Sequence, residues 1–107
     1  MGRVLEVCVD SVESAASAAR GGATRLELCA NLVIGGTSPD EDLFRMVRER
    51  VDIPIRVLLR PRFGDFLYSE EEFELLRRQV RRFSALGADG VVIGVLRPDG
   101  ALDEPRM

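Results

Sequence analysis

Histidine is absent from this 107-residue chain, and its absence removes whole classes of chemistry. No Ser-His or Cys-His nucleophile pair can form within one chain, and no His-rich zinc site can be built. Cysteine is scarce: Cys8 and Cys29 are too few for the disulfide framework of a small secreted domain. They are read as free thiols, either core residues or ligands to a soft metal. Positive charge is not in excess, since the net charge is −3 and the pI about 5.0, so the basic footprint of a nucleic-acid partner is missing. Long apolar runs are missing too. The run over 55–59, interrupted by Arg56, falls far short of the ~18 residues a membrane span needs. The first residues lack the basic and apolar regions of a secretory signal. A cytoplasmic protein with no membrane partner is expected. No Gly-x-Gly-x-x-Gly follows the first strand, which weakens a dinucleotide-binding reading. Acid–base chemistry is left to Asp, Glu, Arg, Tyr68 and the thiols.

What is present reads as one soluble domain over 1–107, 46% hydrophobic and 31% charged. Strands are expected over 4–9, 25–29, 55–59 and from Gly90. Between them lie three helical stretches. The first, over 12–20, follows two candidate caps, Asp10 and Ser11, with Glu13 spaced for a capping box with Asp10, and ends at Gly21-Gly22. The second, over 39–50, follows Ser38 as cap with Pro39 at the first helical position. The third, over 70–86, is capped by Ser69 with Glu72 and carries the apolar stripe Phe73, Leu76, Val80 and Phe83. Its arginines 77, 78, 81 and 82 form a solvated outer face. A further helix begins at "LDEPRM".

The order βαβαβαβ means a parallel α/β sheet. Four βα units are about half of the ~250 residues of an eight-stranded (β/α) TIM barrel, and a flavodoxin-like open sheet competes. Strand faces arbitrate. In "LEVCVDS" and "LELCANL" side chains alternate, so Glu6, Cys8 and Asp10 share one face and Leu5, Val7 and Val9 the other. Glu27 and Cys29 likewise oppose Leu26 and Leu28; Arg56, Leu58 and Arg60 oppose Ile55, Val57 and Leu59. A doubly wound sheet is apolar on both faces; a barrel is covered by helices outside only. The TIM-barrel type, as a half barrel with parallel strands, is therefore expected. Buried charge needs partners, and Glu6, Asp10 and Glu27 against Arg56 and Arg60 suggest an interior ion-pair network, structural or functional. Asp10 is alternatively just a helix cap. Strand ends facing a barrel's site hold Cys8 to Asp10, Cys29 to Asn31, Arg60 and Gly94.

Six stretches, "LEVCVDSVESA", "GATRLELC", "GGTSP", "IPIRVLLRPRFGDFLYS", "GADGVVIGVL" and "DGALDEPRM", are in order and register. Together they resemble the N-terminal half of the CutC copper homeostasis protein family, over essentially the whole chain. The resemblance implies a (β/α) barrel of about twice this length, a cytosolic location, and Cu(I) held by paired cysteines, here Cys8 and Cys29. One departure stands out. The family's loop usually reads Arg-Pro-Arg-Gly-Gly-Asp-Phe, and Phe63 replaces the first Gly, which predicts a distorted loop or an altered ligand contact because Phe adopts φ > 0 only at a cost. A half barrel also leaves its first and fourth strands as open edges. A fragment is the favoured explanation, and two copies pairing as a homo-oligomer the alternative.

Cu(I) is soft and prefers thiolates. Cysteines at equivalent positions of adjacent strands would sit ~5 Å apart between backbones, close enough to bracket one ion, although free Cys is also common in cores. The leading reading is a copper-binding protein with Cys8 and Cys29 as metal ligands. Glu6, Asp10, Asn31, Arg60 and Arg62 are candidate ligand-binding residues. The alternative is an enzyme acting on a small anionic or sugar-like metabolite, with Glu27, Arg60 and Asp65 as catalytic candidates, Arg supplying bidentate donors and Glu a general base. For Arg62 and Asp65 a loop salt bridge is the plainer reading. A third reading is a half-chain without activity of its own.

Overall fold

In the computed structural model, which describes residues 2–107, strands β1 (Glu6–Val9), β2 (Arg25–Leu28), β3 (Ile55–Leu58) and β4 (Gly90–Val92) alternate with helices α1 (Val12–Arg20), α2 (Glu41–Arg50) and α3 (Glu70–Ala85). The strands form one parallel sheet in the order β1-β2-β3-β4. Alternation sorts the side chains as the sequence requires. Val9, Leu26, Leu28, Ile55, Val57 and Leu59 join Ala15, Phe44, Val47, Leu76 and Phe83 in one core, so the helices bury the aliphatic face. Glu6, Glu27 and Leu58 on the opposite face are half-buried, and Cys8 and Arg56 are exposed. Layering of this kind is that of half a (β/α) barrel. No described helix is long and apolar enough to cross a membrane.

The register between β1 and β2 holds a surprise. Aligning "LEVC" with "LELC" would set Cys8 level with Cys29. Instead Val7 pairs with Leu26, Cys8 with Glu27 and Val9 with Leu28, a stagger of two residues that suits strands tilted as in a barrel. Because the slip is even, every side chain keeps its face.

Local chemistry departs from expectation at three places. Ser11, not Asp10, caps α1: its Oγ accepts from the Ser14 N–H at 3.0 Å, and Ser14 Oγ accepts from the Ser11 N–H at 3.1 Å. A hydroxyl thus fills the box expected of Glu13. Asp40, not Ser38, caps α2, accepting from the Asp42 N–H at 2.8 Å. Ser38 is taken elsewhere, its Oγ accepting from the Arg60 N–H and donating to Gln79, both at 2.8 Å. Leu5, expected on the aliphatic face, is 52% exposed because it precedes the first strand pair at an open edge. The Ser69–Glu72 capping box on α3 forms as read.

Phe63 does not distort its loop. Among the described residues Asn31 is the sole non-glycine with positive φ, while the neighbouring Gly64 takes φ +99°. Only one position in this turn needs the left-handed conformation, and a glycine keeps it. The ring is 66% exposed.

Arg62 braces this loop against α3. It donates to Glu72 at 2.8 Å and to the Leu67 carbonyl at 2.8 Å, and it lies 4.9 Å over the Tyr68 ring. The Arg62 contact, helped by the Ser69 N–H, holds the Glu72 carboxyl down at about 2. A depressed folded value means the pair's contribution is complete above the ordinary carboxylate range and is lost as pH falls toward 2. Arg62→Met is expected to raise the Glu72 titration toward the ordinary range, the Ser69 N–H still holding it partly down, and to flatten the acid limb of stability. NMR titration of the side-chain carboxyl checks it.

Candidate metal centre

The opening repeat brings three donor groups together on the uncovered face. Cys8 Sγ, a Glu27 carboxylate oxygen and Cys29 Sγ all lie within 4.8 Å of one another. Cys8 and Glu27 are level across β1 and β2. Cys29 stands two residues further along, anchored by its N–H to the Val9 carbonyl at 2.9 Å. Cys29 is 1% exposed whereas Cys8 is open to solvent. The Cys29 thiol donates to Glu27 Oε2 at 3.6 Å.

Electrostatics keep both sulfurs protonated without a cation. Burial first, then the Glu27 carboxylate, pushes both thiols up, with Glu6 adding to the effect at Cys8. The shift is far larger at the dry Cys29. Glu27→Gln removes a negative charge and is expected to lower both values. Thiolate absorbance followed against pH should then rise earlier in the variant.

The acids and arginines around this cluster are arranged differently from the expected network. Glu6 pairs with Arg25 at 2.6 Å, not with Arg56 or Arg60. Arg25 shares the face of Glu27, level with Glu6 in the ladder, and sequence reasoning passed over it, although its alternation with Glu27 and Cys29 was there to be read. Arg56 makes no ion pair among the described residues and lies across Gly90, where a Cβ would sit 3.3 Å from its Cγ. Asp10 is exposed just past β1. Asn31 takes φ 53° and donates to Thr37 Oγ1 at 3.0 Å. Asp65 accepts from the Leu67 N–H at 3.1 Å and from Arg62 at 3.2 Å. Arg60 donates to the Gly36 carbonyl at 2.9 Å and the Gly64 carbonyl at 2.5 Å, 5.0 Å over the Phe66 ring. Glu27 therefore joins the thiols, while Arg60 bridges the segments after β2 and β3, Arg62 ties the loop after β3 to α3, and Asp65 is bonded within that loop.

Comparison with known proteins follows the same lines. A family model described as the CutC family matches residues 3–107. The copper homeostasis protein cutC homologs of mouse and human are each 50% identical over 103 residues, covering 96% of this chain and 38% of theirs. A family protein CutC of Xanthomonas campestris is also 50% identical over 103 residues, with 43% of its length covered. The chain thus spans about two fifths of the curated relatives it matches. The crystal structure of CutC from Streptococcus agalactiae superimposes with a TM-score of 0.85 at 27% identity, covering 97% of this chain and 51% of that one.

Proposed function

Because this chain belongs to the CutC family, we propose that it serves in copper homeostasis and binds Cu(I) through Cys8 and Cys29, with Glu27 beside them. The observation that carries this reading is the convergence of two sulfurs and one carboxylate within 4.8 Å. Soft thiolates favour Cu(I) over hard cations. Metal binding must displace the thiol protons, and Glu27, already accepting from the Cys29 thiol, is placed to receive one. Exposure of Cys8 beside a buried Cys29 gives an ion a wet side from which to enter and a dry ligand to finish on. Glu6 adds negative charge beside Cys8 and is itself paired with Arg25. A cytoplasmic location is part of the same reading, since reduced thiols persist there.

Anaerobic titration against a chromophoric Cu(I) chelator tests it. One equivalent of Cu(I) per chain is expected, and none in the Cys8→Ser/Cys29→Ser double variant; equal uptake by the two proteins would sink the proposal. A homo-oligomer rests on the open β1 and β4 edges, which invite further strands. Light scattering checks it, a dimer having twice the 11.8 kDa of one chain. The alternative, an enzyme using Glu27, Arg60 and Asp65 on a small anion, finds less support, because the outer nitrogens of Arg60 are taken by the Gly36 and Gly64 carbonyls and the Asp65 carboxylate by Arg62 and the Leu67 N–H.

A further inference from the structure

Residues 31–37 leave β2, make one 3₁₀ turn at Leu32–Ile34 and return to the sheet end. The return is fixed by an antiparallel bridge, the Ala30 N–H donating to Thr37 O at 2.9 Å and the Thr37 N–H to Ala30 O at 2.7 Å. Three residues of this strap, Asn31, Gly35 and Gly36, take positive φ. The buried Gly36 presses on the metal centre from behind. A Cβ there would stand 2.8 Å from Leu58 Cδ2, 3.6 Å from Cys29 Cβ and 3.8 Å from Cys29 Sγ. The approach to Leu58 is too close for a real Cβ, and the φ of +93° is strained for any other residue, so a glycine lets the strap lie this near Leu58 and Cys29.

One cation holds the strap down. The Arg60 guanidinium spans the Gly36 carbonyl of the strap and the Gly64 carbonyl of the loop after β3. Its own backbone is tied to the strap's end, the Arg60 N–H donating to Ser38 Oγ at 2.8 Å and the Ser38 N–H to Arg60 O at 3.0 Å. Phe66 beneath the guanidinium fixes its plane. Its Nε is buried without a partner, so the outer nitrogens alone do the holding.

We infer that Arg60 is a positioning residue for the metal centre: by clamping Gly36 and Gly64 it seats the 31–37 strap against Cys29, keeping that sulfur dry and turned toward Cys8 and Glu27. The inference deepens the copper reading, yet its first consequence is independent of metal. Cys29 is 1% exposed, so an alkylating reagent reaches it only when the strap lifts. Hydrogen bonds from a charged donor are worth enough that losing two is expected to raise strap opening about tenfold or more.

The test is the ratio of iodoacetamide modification rates at Cys29 and Cys8, mapped by peptide mass spectrometry on the metal-free chain well below its melting temperature. Arg60→Met is expected to raise the ratio about tenfold, by the loss of both charged hydrogen bonds. Arg60→Lys should fail to restore it, because one ammonium on a flexible stem lacks the planar fork that reaches both carbonyls. Gly36→Ala, which displaces the strap while leaving Arg60 in place, should raise it as well. An unchanged ratio in Arg60→Met, or in Gly36→Ala should the former fail to fold, overturns the clamp. General destabilisation would raise the Cys29 rate too, Cys8 being open already, but with the steep urea dependence of complete unfolding. Lifting of the strap alone is nearly insensitive to urea, and a steep dependence in Arg60→Met overturns the clamp. A chain that binds no copper but shows the altered ratio removes the functional proposal and leaves the clamp standing; one that binds copper with an unchanged ratio does the reverse.

Discussion

Cys29→Ser is expected to weaken Cu(I) binding by more than about 100-fold, beyond the ~10–100-fold usual when only an outer partner of a metal ligand is lost. The hydroxyl is a hard donor with little affinity for Cu(I), and the site has no spare sulfur within the cluster. Glu27 cannot compensate, since its carboxylate is hard as well. Cys8→Ser should also lose affinity, since it too leaves a single thiolate and neither water nor the new hydroxyl is a soft donor. Chelator competition on the single variants gives both numbers. Wild-type affinity in Cys29→Ser would remove this sulfur from the coordination sphere.

Phe44→Ala should have the largest effect on stability, about 3–5 kcal/mol by analogy with other buried Phe truncations. Phe44 is 1% exposed and meets Phe83 edge to face at 5.8 Å and 79°. It thereby ties α2 to α3, and both to the aliphatic side of the sheet. Deleting the ring leaves a cavity and also breaks the aromatic pair. A loss of that size is a large share of the ~5–15 kcal/mol that holds a typical domain together. Urea unfolding of the variant measures it directly. A shift under about 1 kcal/mol, the typical cost of an ordinary substitution, would mean that the core does not pass through this contact.

Periodicity carried most of the fold. Strands with one apolar and one polar face, joined by capped helices, leave few arrangements open, and the structure departs from that reading at the helix caps, where several oxygens compete. At α1, Ser11 and Ser14 satisfied each other in preference to Asp10 and Glu13. At α2, Ser38 was drawn to the Arg60 backbone, a contact 22 residues away that no local pattern announces. The site was partly readable. Shared faces follow from a period of two, so Cys8, Glu27 and Cys29 were placed together. Their true offset was not readable, because register is decided by the level at which Val7, Leu26 and their neighbours pack. The grouping of Arg60 with the acids failed for another reason. A long side chain at a strand end can turn to any of several carbonyls, and two glycines lay within its reach.

The two-residue stagger between β1 and β2 has a mechanical consequence. Donors on successive rungs of neighbouring strands would grip an ion obliquely, so that sliding either strand along the other stretches at least one metal–sulfur bond. A bound ion would act as a rivet against shear between β1 and β2, which are neighbours in the sheet. The loaded chain would then resist pulling from its amino end in a way the empty chain does not.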